Sequence, residues 1–243
     1  MPKIKSEGML GHSVMTSVKK CIYCGSSDNI TDDHVPPKNL FPKPRPSNLI
    51  TVPSCKQCNS SFSKDDEYFR SMLVSCEPVH DDENAKKIFE SVLRSLRRSE
   101  AKGFNKQIQE SLSSIDIMSP GGIFLKKAPA IKFDAKRIKS TATRIAKGLF
   151  YVITGQSFSE SYEISVAFQD GYLQPPKGFI QEFQGYWITP ITIGDNVFTY
   201  TYAQSNEDSN AMVFLYVFYS KLYFFGVIVP SKELRTNEKD TKE

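Results

Sequence analysis

Little in this sequence sets it outside the ordinary globular class. No apolar run follows the opening Met-Pro-Lys-Ile-Lys, so a secretory signal is not expected and the chain reads as cytoplasmic. No internal repeat is visible, which sets repeat architectures aside. Only one stretch, Ala211–Pro230, is long and apolar enough to be weighed as a membrane span. Its midpoint is Tyr219-Ser220-Lys221, and a lysine at the centre of an isolated span is expensive. Ser-Lys between Val213–Phe218 and Leu222–Val229 suits a buried β-hairpin instead, so no membrane partner is expected. With 40% hydrophobic and 24% charged residues, wholesale disorder is excluded. The 243 residues suffice for one large domain or two modest ones.

Neither sign of charge dominates, the formal total being +4. That total conceals a split. Residues 1–150 carry 25 basic and 16 acidic side chains, and residues 151–243 carry 6 and 11. A basic front and an acidic back argue that any polyanion is met by the front.

Along the chain, residues 1–20 are polar and without clear periodicity. The run Phe41-Pro42-Lys43-Pro44-Arg45-Pro46 cannot be helix and reads as a protruding loop. A short strand, Leu49-Ile50-Thr51-Val52, follows it, and Ser54 is placed to cap a helix beginning near Cys55. Ile88, Phe89, Val92, Leu93 and Leu96 predict a helix over about 82–102, with Gly103 as its stop. A second helix is predicted from Ala135 to about Tyr151. Ile138, Ala142, Ile145 and Leu149 form one face of it, and Lys136, Arg137, Lys139, Arg144 and Lys147 the other. From residue 151 on lie 19 of the chain's 29 aromatic residues, among β-branched residues and turn formers, which favours strands. The expected fold class is therefore α+β, with a cysteine-bearing module at 1–80 (core 20–70), a basic helical region at 81–150 and a β-rich region at 151–243.

Cysteine is scarce but not scattered. Four of the five form two pairs of identical spacing, Cys21-x-x-Cys24 and Cys55-x-x-Cys58. Zn²⁺ binds thiolates tetrahedrally, and one tight turn of this spacing supplies two sulfurs on adjacent corners. Gly25 behind the first pair eases such a turn. Two disulfides would conflict with the missing secretion signal. A redox pair would need a βαβ context, which neither pair has. A structural four-cysteine zinc site is the reading adopted. Cys76, among Met72, Leu73 and Val74, reads as a buried small hydrophobe.

Between the pairs stand Asp33-His34 and Asn48-Leu49, and Asn59 follows Cys58 directly. With the two cysteine knuckles, this set resembles the HNH endonuclease family in its zinc-stabilised form, over about residues 20–70. The resemblance implies a ββα-metal fold with Asp33-His34 ending the first strand, Asn48 in a loop and Asn59 on the following helix. It also implies His34 as general base on the attacking water, and Asp33 and Asn59 as holders of one catalytic Mg²⁺ or Mn²⁺. Asn48 is implied to tie the loop and orient the histidine. DNA is the implied substrate, RNA being the variant, with products ending in 5′-phosphate and 3′-hydroxyl. The chemistry is coherent, since imidazole, with an unperturbed pKa near ~6.5, suits proton transfer at neutral pH. One carboxylate and one amide oxygen leave a hard cation open positions for phosphate. Departures are Asn59 where the family often has histidine, a thinned basic stretch at Ser60-Ser61-Phe62-Ser63-Lys64, and a proline-rich connector. Asp32 is expected on the face opposite Asp33. His12 and His80 lack partners at meaningful spacing and read as surface residues.

Arg94, Arg97 and Arg98 on one helix, and Lys136, Arg137, Lys139, Arg144 and Lys147 on the other, are candidates to track a phosphate backbone. The acidic, aromatic end reads as a packed core, with a surface for a protein partner or self-association. A role in phage defence follows from the family only by analogy. The alternative from a different class is a non-catalytic zinc module that binds nucleic acid or protein.

Overall fold

The computed structural model describes residues 19–169 and 186–231. The expectations for residues 1–18, including His12, lie outside the described residues.

The first element is an antiparallel hairpin of β1 (Ile30–His34) and β2 (Thr51–Cys55), with Ile30 opposite Cys55 and His34 opposite Thr51. Directly behind it runs α1 (Lys56–Val74). Its N-cap is Cys55, whose Sγ accepts from the Cys58 N–H. Ser54, expected to cap, is instead buried in β2. The strand continues past Val52 because Ser54 and Cys55 pair with Thr31 and Ile30.

The predicted 82–102 helix is shorter and doubled. It runs as α2 (Glu83–Leu96), capped by Asp82, and resumes as α3 (Lys102–Ser111). Gly103 therefore sits inside the second helix and is not a stop. A hairpin that periodicity did not announce follows, β3 (Leu112–Met118) against β4 (Phe124–Ile131). Then comes α4 (Ala135–Thr154), capped by the Asp134 side chain and ended by Gly155 at φ 71°.

The C-terminal region forms one antiparallel sheet from β5 (Tyr162–Gln169), β6 (Ile191–Ile193), β7 (Phe198–Gln204), β8 (Met212–Phe218) and β9 (Leu222–Pro230). The spatial order is β5-β9-β8-β7-β6. The apolar stretch weighed as a membrane span is thus the β8–β9 hairpin, and no helix of the described residues is long and apolar enough to cross a membrane. Its turn residues, Tyr219 and Ser220, have φ of 51° and 56°, the left-handed pair that tight hairpins need. Tyr219 bears this because its ring is buried and its hydroxyl donates to the Leu40 carbonyl at 3.0 Å.

One hydrophobic core joins all three zones of the chain. Phe69 of α1 stacks edge-on against Phe218 and lies beside Phe224 of the sheet. The Tyr216 hydroxyl donates to the Ala142 carbonyl of α4 at 2.8 Å. Because α4 lies between the hairpin module and the sheet, its buried surface is wider than the four-residue face expected. It takes in Thr141, Arg144, Ala146, Gly148 and Phe150 as well.

At Gly148 the helix passes so close to the loop after His34 that a Cβ would sit 2.5 Å from Val35 Cγ2. Val35 is itself buried and has no room to retreat. Gly148→Ala is expected to cost about 1–3 kcal/mol by overpacking, read as a lower urea midpoint with unchanged slope.

Candidate metal centre and the residues beside it

The four Sγ atoms of Cys21, Cys24, Cys55 and Cys58 lie within 4.8 Å of one another. The Cys24–Cys55 separation is 3.7 Å. A tetrahedron with Zn–S bonds of ~2.3 Å has edges of about 3.8 Å, so the spacing fits a four-sulfur cage. No pair is joined as a disulfide. Burial acts to raise the Cys21 thiol, but hydrogen bonds from the backbone of Cys55, Tyr23 and Cys24 outweigh it and bring it down to about 6. Cys58 moves the other way, because burial and its three neighbouring sulfurs disfavour a further charge. These four cysteines could hold a metal ion such as zinc.

The start of α1 brings Asn59 beside β1. Asn59, in the first turn of α1, donates from Nδ2 to Thr31 Oγ1 at 3.1 Å and to the Asp32 carbonyl at 3.3 Å. Its Oδ1 accepts no hydrogen bond among the described residues. Asp32 is exposed, as strand alternation predicts. Asn48 does not turn toward His34. Its Nδ2 reaches the Thr192 carbonyl on β6 at 3.4 Å, so it ties the loop to the C-terminal sheet.

His34 is half-buried, and its ring makes no hydrogen bond among the described residues. Burial first, and then the charge of Lys38, lowers its pKa below 6.5, with Asp33 opposing. The neutral imidazole is therefore the prevailing form near pH 7.

Asp33 is buried, and its surroundings hold what the sequence reading missed. Its Oδ2 accepts from the Tyr23 hydroxyl at 2.8 Å and from Arg144 at 2.7 Å. Arg144 also forms a very short contact with Asp66 of α1, and its guanidinium lies over the Phe62 ring at 4.4 Å. Burial opposes its charge, but Asp66 and Asp33 together more than compensate. Asp66 itself is pushed up to about 6 by burial, against the pull of Arg144. Tyr23 is raised, by burial and then by the Asp33 carboxylate, so its hydroxyl stays a donor.

Arg144 is thus not on the solvent face where helical spacing had put it. Arg137 is also engaged, donating to Asp65 at 2.7 Å and to the Lys64 carbonyl at 2.8 Å. Arg94 is exposed and faces Glu90, while Arg97 and Arg98 follow the last residue of α2. A helical wheel of α4 alone places Arg144 with the lysines. The Asp-Asp-Glu run at 65–67, just before the buried Tyr68-Phe69, was the signal that a buried cation awaited it.

Replacing Arg144 with leucine leaves Asp33 and Asp66 facing each other without a counter-charge. A loss of about 3–5 kcal/mol is expected, measured by guanidinium unfolding.

Comparison with protein-family models, with curated proteins and with solved structures gives no match for this chain.

Proposed function

We propose that the protein is a metal-dependent endonuclease of the HNH type, hydrolysing phosphodiester bonds in DNA, on a structural Zn²⁺ held by Cys21, Cys24, Cys55 and Cys58. The observation that carries the reading is the meeting of β1 and α1. Asn59 is bonded to the backbone of Asp32, one residue from Asp33-His34, and the four cysteines gather the turn before β1 against the β2–α1 junction.

His34 holds its proton-accepting form at neutral pH and would take a proton from the water that attacks phosphorus. Asp33 and Asn59 would hold the divalent cation. Each keeps Oδ1 clear of hydrogen bonds among the described residues, and an oxygen-only donor set suits Mg²⁺ or Mn²⁺. When bound, such an ion polarises a phosphate oxygen and eases departure of the 3′ oxygen. Arg144 and Tyr23 hold the Asp33 carboxylate in place through Oδ2.

The second reading, a non-catalytic zinc module, is favoured by the same ion pair. A carboxylate already neutralised by a buried arginine is also what a purely structural aspartate looks like. The test is cleavage of supercoiled plasmid with Mg²⁺ or Mn²⁺, by wild type and by His34→Ala. Nicking by wild type alone supports the nuclease. Identical inactivity of both proteins on DNA and on RNA supports the binding module.

A further inference from the structure

Beside Asp33 lies a groove of about 480 Å³, lined by Tyr23, Phe62, Lys136, Lys139, Ser140, Thr143, Arg144 and Lys147. We infer that this groove is a backbone-binding subsite, in which Lys136, Lys139 and Lys147 of α4 receive phosphates of one DNA strand and lead it toward Asp33. The inference rests on the nuclease reading for its substrate class and adds a site outside the HNH-like segment.

Three observations carry it. First, the cations of α4 divide into two groups. Arg137 and Arg144 are spent on Asp65, Asp33 and Asp66, whereas Lys136, Lys139 and Lys147 form no ion pair among the described residues. Lys147 lies over the face of the Phe158 ring at 5.0 Å and is matched by no carboxylate among the described residues. Second, Lys136, Ser140, Thr143 and Lys147 recur at helical spacing, so ammonium groups and hydroxyl donors share one stripe. At ~1.5 Å rise per residue the stripe is about 16 Å long. That matches about five phosphates of one strand at ~3.4 Å per phosphate along a duplex. Third, the wall and floor of the groove, Tyr23 and Arg144, are the residues whose side chains hold Asp33 Oδ2. A strand seated on the lysines therefore runs one side chain away from the candidate catalytic carboxylate.

The test is fluorescence anisotropy of a labelled short DNA duplex with full-length His34→Ala protein, titrated across salt. The slope of log affinity against log salt is compared with that of two further proteins. One carries Lys136→Ala, Lys139→Ala and Lys147→Ala, and the other carries Arg94→Ala, Arg97→Ala and Arg98→Ala. All six positions but Lys147 are exposed, and Lys147 is half-buried, so folding is retained and checked by circular dichroism. The expected result is a slope lower by about 3 for the lysine variant only. Equal slopes for both variants, or no binding by the parent protein, overturns the groove. A lysine-dependent slope in a protein whose wild type cuts no plasmid upholds the groove and removes the nuclease reading.

Discussion

Cys21→Ser or Cys55→Ser is expected to yield protein that retains no zinc and loses the folded hairpin–helix unit. Structural zinc contributes about 10–16 kcal/mol of apparent binding energy in small modules. A whole domain is stable by only about 5–15 kcal/mol, so losing most of the first quantity is comparable to the whole of the second. The local geometry sharpens the effect. Cys55 is at once the last residue of β2, the N-cap of α1 and one corner of the sulfur cluster. Cys21 is fully buried, and its N–H and carbonyl close the knuckle turn with Ser26 and Gly25 at 2.8 Å each. The measurement is metal content after desalting, paired with thermal unfolding followed by circular dichroism. Wild type should carry about one zinc per chain and lose its transition to a strong chelator. Cys76→Ser is the matched control and should keep both properties. A Cys55→Ser chain that still unfolds cooperatively at the wild-type temperature would refute the clamp.

The second large effect is on catalysis. His34→Ala should lower plasmid cleavage by about 10²–10⁴-fold, the range that a positioned general base contributes. Binding of DNA should hardly change, because the imidazole is neutral near pH 7. The sign of the pH dependence follows from the shift. Burial and Lys38 lower the His34 pKa, so the base form persists to more acid pH than an exposed histidine allows. The acid limb of kcat/KM for wild type is therefore expected below pH 6.5 and absent from the residual activity of His34→Ala. A wild-type limb above 6.5, or one that survives in the variant, would assign the titration to another group.

The four-cysteine cluster was legible because its signal is local. Two Cys-x-x-Cys pairs can be read from spacing alone, since a knuckle is one tight turn whatever surrounds it. The helix expected from Ala135 does begin there, because the Asp134 carboxylate caps it. The β8–β9 hairpin was anticipated, with its turn one residue earlier than Ser-Lys suggested, because the buried Tyr219 decides where the chain reverses. Gly103 and Ser54 misled for a shared reason. Each has the right type for a stop or a cap, but neighbouring elements decide whether that capacity is used. The β3–β4 hairpin escaped notice because its exposed Leu112, Ile115, Phe124 and Leu125 do not alternate with polar residues as a half-buried strand would.

By itself the sequence determined which four cysteines cluster where a metal ion could be held, the mixed helical and β character, and the basic front with its acidic back. Those properties depend on residue type and short-range spacing. Only the tertiary structure decided which charges are available. Arg144 and Lys147 are neighbours on one helix and line one groove, yet one is spent on Asp33 and Asp66 while the other has no ion pair among the described residues. Helical periodicity describes a single element, whereas α4 is covered by α1 and β1 on one side and by the sheet on the other. Coulomb pairing across 111 residues of chain, between Arg144 and Asp33, arises from that packing and leaves no trace in local pattern.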